Sequence, residues 1–512
     1  MEFQKNQEII LKIDDLGNNG EGIGHIDGYA LFVKDALPGE TIRAKIMKCK
    51  KNYGFARLME ILPREECPAA PGTESSEKAP EASAVSEGVG RVEPKCPVAR
   101  QCGGCTLQHL AYEKQLAFKD KKVRDCLERI GGVNLSEVEW LPILGAEAGF
   151  PEGPWHYRNK AQFPVRMQKT EEGELHPVAG FYAGRTHSII PMTDCAIQHP
   201  CMKGILEGVL SWMEQYHVPA YDEERHSGLV RHIYIRRGYH TGEIMVCLVI
   251  NARRMKPEMS DPLVKCLSAM EGVVSISLNV NTEKTNVILG REMIYLWGKE
   301  YIEDSIGDIR YHISPQSFYQ VNPVQTEKLY RTALEFADLS GDEVVWDLYC
   351  GIGTISLFLA RQAKMVYGVE IVPEAIENAK ENASLNGIGN ARFFCGAAEE
   401  VVPELLGDGS ANGSENADSG TATADSGNSQ IPVRADVVVV DPPRKGCDAV
   451  LLDTIEKMSP QRIVYVSCDP ATLARDVKVL GEKGYEVKRV RVVDQFFWSG
   501  HVETVCLLSR KP

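Results

Sequence analysis

Asp347-Leu348-Tyr349-Cys350-Gly351-Ile352-Gly353-Thr354 closes an apolar run that begins at Val344 and opens directly onto a helix-like one. A buried-strand pattern, a tight glycine turn and a helix N-terminus place backbone N–H groups at the carboxyl edge of a sheet, where α/β folds hold their ligands. Around this stretch, helices over 323–337, 354–363, 373–386 and 470–482 flank apolar strands over 343–349, 365–370, 435–440 and 462–467. That alternation predicts a doubly wound, Rossmann-like α/β domain with a parallel sheet over 321–512. A dinucleotide fingerprint wants Gly or Ala where Ser356 stands, so a cofactor without a pyrophosphate is the better match. The next strand ends at Glu370, placed to accept from both hydroxyls of a ribose. The same residue also suits a helix N-terminal acid before Pro373.

Two more strand ends carry chemistry. Asp436–Val440 runs into Asp441-Pro442-Pro443-Arg444. The prolines fix the backbone and remove donors, leaving carbonyls and the Asp441 carboxylate for the crevice. This fits transfer to a nucleobase, and Arg444 stands where transfer to an amino group would want a stacking aromatic. Arg462–Val466 ends in Ser467-Cys468-Asp469-Pro470, which puts Cys468 at the same edge. A helix start beside it can depress a thiol pKa and favour a nucleophile. Cys350, inside the glycine turn, and Cys447, in the loop past Asp441, are its rivals. Glu503, in His501-Val502-Glu503-Thr504, is either a satisfied core acid or a general base in a dry pocket.

Outward from this domain the composition changes. Residues 1–62 read as five short strands with Gly-rich turns, a small β-barrel. Over Arg43–Arg64, Arg43, Lys45, Lys48, Lys50, Lys51, Arg57 and Arg64 face only Glu60, either as a solvated face or as a surface for a polyanion. Residues 65–93 and 407–430 are poor in apolar side chains and read as a disordered linker and a loop insertion. A central, mainly β unit over 94–320 starts with a helix at Ala111–Ile130. Strands follow at Ala161–Arg166, Leu229–Arg236, Glu243–Val249, Val273–Val280 and Asn286–Leu289. Its stretches Trp155–Lys160 and Leu229–Arg237 interleave aromatic and basic residues, as nucleic-acid contacts or plain strand faces do.

Cys96, Cys102 and Cys105 share a C-x5-C-x2-C spacing that suits zinc or an iron–sulfur cluster. The opening residues lack the apolar stretch of a signal peptide, and no long apolar run is present. A cytoplasmic, reducing location is therefore expected, with the 15 cysteines as ligands, nucleophiles or core residues rather than disulfides. The formal charge of −14 argues against a polyanion partner only until the acidic low-complexity segments are set aside.

In this order, D-L-Y-C-G-I-G-T, G-V-E, D-P-P-R-K-G, S-C-D-P and H-V-E-T resemble the RNA uracil-C5 methyltransferases, as does S-P-Q-S-F-Y-Q-V-N at 314–322. The resemblance implies S-adenosylmethionine as cofactor, bound by Gln320, Tyr349, Glu370 and Asp441. It implies Cys468 as the nucleophile that adds to uracil C6 and Glu503 as the base that removes the C5 proton. Residues 1–64 look like a TRAM domain, an RNA-binding barrel. With the cysteines, it points to the branch that methylates 23S ribosomal RNA. The family's Asp-Cys-x-Ile-Gln pattern, here 194–198, selects Cys195 over nearby Cys201 and His199 as fourth ligand of a [4Fe–4S] cluster, with zinc the lesser alternative. The rivals are the same chemistry on tRNA and a non-catalytic RNA-binding or assembly factor. No membrane and no stable protein partner are expected.

Overall fold

The computed structural model describes residues 3–63, 89–146, 150, 153–184, 186–406 and 435–512. The linker expected over 65–93 lies outside them up to residue 88, and the insertion expected over 407–430 lies wholly outside.

The N-terminal barrel has strands β1 (Glu8–Lys12), β2 (Asp15–Leu16), β3 (Gly22–Ile26), β4 (Tyr29–Lys34), β5 (Thr41–Cys49) and β6 (Tyr53–Ile61), in the order β1-β5-β6-β4-β3-β2. Period-two alternation buries Leu11, Leu31, Val33, Ile42, Ala44, Ile46 and Ala56 in one small core. Gly24 is required by close packing, since a Cβ there would lie 2.2 Å from the Lys12 carbonyl. Arg91 moors the barrel to the following segment, pairing with buried Glu40 and donating to the Asp35 carbonyl.

Helix α1 (Tyr112–Arg129) and strand β7 (Glu139–Leu144) come next. The sequence reading counted them with the central unit. The structure instead sets β7 on the outer edge of the C-terminal sheet and packs Val123 and Leu127 of α1 onto that sheet's face. The helical period locates α1, but nothing local says which sheet it covers.

The central sheet comprises β8 (Lys160–Lys169), β9 (Leu175–Tyr182), β10 (Ile189–Pro191), β11 (Val230–Arg237), β12 (Ile244–Ile250), β13 (Val273–Val280) and β14 (Glu292–Gly298), ordered β10-β9-β8-β11-β12-β13-β14. Helices α2 (Cys201–Gln215) and α3 (Pro257–Ser268) pack on one face. Asn286–Leu289 is a loop rather than the expected strand, and the Asn281 amide donates to the Val287 and Ile288 carbonyls. From the sheet's other face, Tyr234, Met245 and Cys247 enter the core of the C-terminal domain. The hairpin β15 (Ile302–Ile306) and β16 (Ile309–Ile313) contributes to that core as well.

The C-terminal domain alternates α4 (Pro323–Ala337), β17 (Val344–Asp347), α5 (Thr354–Ala360), β18 (Met365–Glu370), α6 (Pro373–Leu385), β19 (Ala391–Cys395), α7 (Ala398–Leu406), β20 (Val437–Val440), α8 (Ala449–Met458), β21 (Arg462–Ser467) and α9 (Pro470–Glu482), then closes with β22 (Tyr485–Val493) and β23 (Glu503–Arg510). The sheet order β19-β18-β17-β20-β21-β23-β22-β7 is doubly wound, as expected. It differs from the all-parallel expectation at β23, which runs antiparallel to both β21 and β22. Burial on both faces explains the unbroken valines of β20. Val437 and Val439 join the core with α4, α5 and α6, whereas Val438 and Val440 join the core with α1, α8 and α9.

Candidate active site

The carboxyl edge of the sheet brings the expected residues together. After β17 the chain turns sharply, and Gly353 takes a left-handed φ of +82° at the N-cap of α5. Glu370 closes the turn from β18: its carboxylate accepts from Gly351 N–H at 3.3 Å and Val372 N–H at 3.0 Å. A cavity of about 370 Å³ opens here, lined by Phe318, Tyr349, Gly351, Glu370, Asp441 and Pro443 among others. Its rim of turn N–H groups, an acid and flanking rings suits an adenosyl group. Gln320 is buried but is not among the residues lining this cavity, and its main-chain carbonyl accepts from the Asn159 amide at 3.0 Å.

Asp347 sits beneath the turn, buried, and accepts from the Ser356 hydroxyl. Burial pushes its carboxyl up to about 6, with that hydrogen bond pulling partly back. Ser356, read above only as a missing glycine, is thus the partner of a buried acid. The sequence signal was present, a hydroxyl where Gly or Ala is usual, but its partner could not be named.

Glu503 opens β23, and the last pair of the adjoining ladder is Ser467 with Thr504. Cys468 follows Ser467 and Glu503 precedes Thr504, and the Glu503 carboxylate acts on the Cys468 thiol. Asp441 lies at the end of β20, which pairs with β21. Burial raises both the Glu503 and Asp441 carboxyls, with the charge of Asp347 adding at Asp441 and that of Asp441 adding at Glu503, where the Arg444 guanidinium works against it. The Cys468 thiol is pushed up to about 11, first by burial and then by Glu503 and Asp441, against Arg444. This corrects the expectation that a helix end lowers it. The N-terminus of α9 is already capped by Asp469, which accepts from Ala471 and Thr472 N–H and leaves little positive field for the thiol.

Arg444 is the residue the sequence undervalued. It was noticed for the aromatic it replaces, yet its charge acts on both Cys468 and Glu503. Gly446 explains the end of its motif, because φ is +76° and a Cβ would fall 2.5 Å from Asp476 Oδ2. The rival cysteines are both buried. Cys350 packs in the core, and Cys447 donates its N–H to Asp476 while its Sγ lies 3.7 Å from the Tyr465 hydroxyl.

A second cavity of about 370 Å³ gathers Cys96, Cys102, Cys105 and Cys195 with Arg158, Lys160, Arg444, Phe496 and His501. Cys201 instead begins α2. Cys102 Sγ accepts from Gly104 N–H at 3.4 Å, and Cys195 is hydrogen-bonded by the N–H groups of Ile197 and Gln198. Cys96, Cys102 and Cys195 all lie near enough to Cys105 to act on it electrostatically. Among the described residues, no group of three or more His, Cys, Asp or Glu is arranged to hold a metal ion.

Residues 238–511 match the family model described as tRNA (Uracil-5-)-methyltransferase, and residues 2–59 match the TRAM domain. The chain belongs to the tRNA (uracil-5-)-methyltransferase family. This RNA methyltransferase is 47% identical over 507 residues to an uncharacterized RNA methyltransferase of Halalkalibacterium halodurans, covering 99% of this chain and 98% of that one. An uncharacterized RNA methyltransferase of Clostridium tetani is 45% identical over 506 residues, covering 99% and 97%. Among solved structures, the Pyrococcus abyssi tRNA (uracil-54, C5)-methyltransferase in complex with S-adenosyl-L-homocysteine matches with a TM-score of 0.67 and 25% identity, over 98% of this chain and 100% of that one. The TRAM match and the full-length structural likeness agree with the N-terminal barrel and the doubly wound C-terminal fold. No described helix of the methyltransferase is long and apolar enough to cross a membrane.

Proposed function

We propose that this methyltransferase moves the methyl group of S-adenosylmethionine to C5 of a uridine in 23S ribosomal RNA. The observation that carries the chemistry is the meeting of Cys468, Glu503, Asp441 and Arg444 at one strand edge, beside the cavity held by Glu370 and the glycine turn. Tyr349, Glu370 and Asp441 would hold the cofactor, with Gln320 entering only if its side chain turns toward the cavity. S-adenosylmethionine supplies an electrophilic methyl group when bound.

Uracil C5 is too weak a nucleophile unaided. Cys468, as thiolate, adds to C6, so that C5 gains enolate character and takes the methyl group. Glu503 then removes the C5 proton, and the electron pair of that C–H bond expels Cys468 from C6. The raised carboxyls fit this task, because a base in a dry pocket is stronger than one in water. The target base must leave its stack to reach the crevice.

The choice of 23S RNA is supported by domain content, a TRAM barrel together with a four-cysteine cavity. Those thiols and their N–H donors suit a [4Fe–4S] cluster, which spreads its ligands wider than a single ion does. Cys96, Cys102, Cys105 and Cys195 would hold it. A cluster there would brace the loop carrying Phe496 and His501, and it would take no part in methyl transfer. Zinc is the lesser alternative, and iron and sulfide analysis separates the two. The second reading is tRNA, favoured by the full-length likeness to the Pyrococcus abyssi tRNA enzyme.

Unmodified 23S and tRNA transcripts with labelled cofactor decide the substrate. Label at uracil C5 of 23S RNA is expected, label in tRNA alone replaces the substrate, and label in neither refutes the reading. Cys468→Ala should abolish transfer. Glu503→Gln should leave RNA covalently attached to Cys468, visible as a shifted band on a denaturing gel.

A further inference from the structure

Arg444 acts on Cys468 and Glu503, yet the residue is exposed and, among the described residues, no hydrogen bond or ion pair holds its side chain. A long free cation has no fixed direction unless the main chain beneath it is held. The loop that carries it, Pro443–Cys447, is held from one side. The Gly446 N–H donates to the Pro443 carbonyl at 2.8 Å and closes a turn. Helix α9 bears on that turn through two neighbouring side chains. Arg475 spans it: one guanidinium nitrogen donates to the Lys445 carbonyl at 2.9 Å and to the Cys447 carbonyl at 3.0 Å, and Nε donates to Asp476 at 2.7 Å. Asp476 in turn accepts the Cys447 N–H at 2.8 Å. Gly446 lies so close to both that a Cβ there would meet Asp476 Oδ2 at 2.5 Å and Arg475 at 2.6 Å.

Asp476 reaches further. It is fully buried, and its Oδ2 also accepts from the Tyr465 hydroxyl at 2.7 Å. Tyr465 lies on β21, the strand that ends just before Cys468, and α9 begins just after it. The strand before the thiol, the helix after it and the loop of Arg444 thus meet on one carboxylate. Burying a carboxylate is costly, and the packing of α9 on the sheet needs none, because Leu473, Ala474, Val477 and Leu480 already supply that contact. The pair therefore contributes something that apolar packing does not. It sets where the turn, and Arg444 with it, sits relative to Cys468.

We propose that Arg475 and Asp476 are positioning residues for Arg444, holding its loop so that the guanidinium stays beside Cys468 and Glu503. This rests on the methyl-transfer reading above and adds what aims the cation in it. The Arg475 side chain is half exposed, so replacing it frees the turn without opening the core. Lysine cannot stand in for it, since one ammonium does not reach two carbonyls and a carboxylate from a single planar fork.

The test is a double-mutant cycle on unmodified 23S transcript with labelled S-adenosylmethionine, using Arg475→Met, Arg444→Gln and the two together. Arg475→Met should lower kcat about 10- to 100-fold, the cost of a misplaced group, with KM for either substrate within about twofold. Added to Arg444→Gln it should change kcat by less than about twofold, because nothing remains to be aimed. Alkylation of Cys468 by iodoacetamide, read by peptide mass mapping, reports the same placement without methyl transfer. At fixed pH it should slow in Arg475→Met and in Arg444→Gln alike, since a nearby cation favours the reactive thiolate, and no further in the double variant. Equal kcat losses with and without Arg444, or unchanged alkylation in Arg475→Met, overturn the proposal in favour of a purely structural pair. If Arg475→Met does not fold by circular dichroism, Arg475→Lys takes its place in the cycle with the same expectations. A transcript that takes no methyl group counts against the proposed reaction alone, and the alkylation comparison then decides the placement.

Discussion

Lys119 and Asp494 form an ion pair with both side chains fully buried. Lys119 reaches from α1 and also donates to the Phe496 carbonyl at 2.9 Å, while Asp494 accepts from the Tyr112 hydroxyl at 2.9 Å. The pair therefore pins the loop between β22 and β23, whose residues Phe496 and His501 line the cysteine cavity and whose end is Glu503. Replacing Lys119 by Met removes one charge of about the same volume and leaves Asp494 buried with a single neutral donor. Breaking a buried pair in this way costs about 3–5 kcal/mol, whereas replacing both partners by apolar groups is near neutral. Urea unfolding followed by tryptophan fluorescence should show that loss for Lys119→Met and recovery of most of it in Lys119→Met/Asp494→Leu. Methyl transfer should fall in the single variant even under conditions where it is fully folded, because the loop before Glu503 loses its anchor. A loss below about 1 kcal/mol, or a double variant no better than the single one, would refute the reasoning.

Asp347 has its carboxyl raised from an ordinary 3.8 to about 6. The folded state then holds the proton more tightly than the unfolded chain, so this stability is complete below about pH 4 and lost as pH rises through about 6. Between pH 4 and 8, Asp347→Asn should gain about 3 kcal/mol on the parent protein in chemical denaturation. Glu370→Ala leaves the N–H groups of Gly351 and Val372 without their acceptor. Calorimetry should find S-adenosylhomocysteine bound about 10- to 100-fold more weakly. Gly446→Ala forces a left-handed residue against Asp476, which should cost about 1–2 kcal/mol in thermal unfolding and reduce kcat by displacing Arg444.

The parts legible in the sequence were those set by period and punctuation. The valines of β20, the glycine turn after β17 and the proline after Cys468 each name a strand end or a helix start, and the structure puts them there. Their convergence was legible too, since doubly wound topology brings successive strand ends to one edge. What escaped depends on contacts between distant segments. No local pattern says that β7 extends a sheet made mostly of residues beyond 340, or that Asn281 holds 287–288 as a loop. The thiol environment escaped for a different reason. The helix start near Pro470 was visible, but burial of the thiol and then the carboxylates of Glu503 and Asp441 act in the opposite sense and are stronger.

That opposition bears on how the crevice is kept safe between turnovers. With Cys468 pushed up to about 11 and Glu503 and Asp441 also raised, the free protein holds a neutral thiol beside carboxyls that resist ionisation. A neutral thiol is a poor nucleophile and a slow target for oxidation. The Arg444 guanidinium acts on Cys468 and Glu503 in the sense that reverses this, without outweighing burial. Positive charge brought by the methyl donor beside Asp441 would favour ionised carboxyls, and RNA that excludes water would strengthen every such term. On the mechanism proposed above, Glu503 and Cys468 would then be armed as base and nucleophile only when both substrates are seated. On that mechanism the burial that holds the Cys468 thiol neutral would also make Glu503 a stronger base once it is ionised, so one feature of the fold would serve both restraint and reactivity.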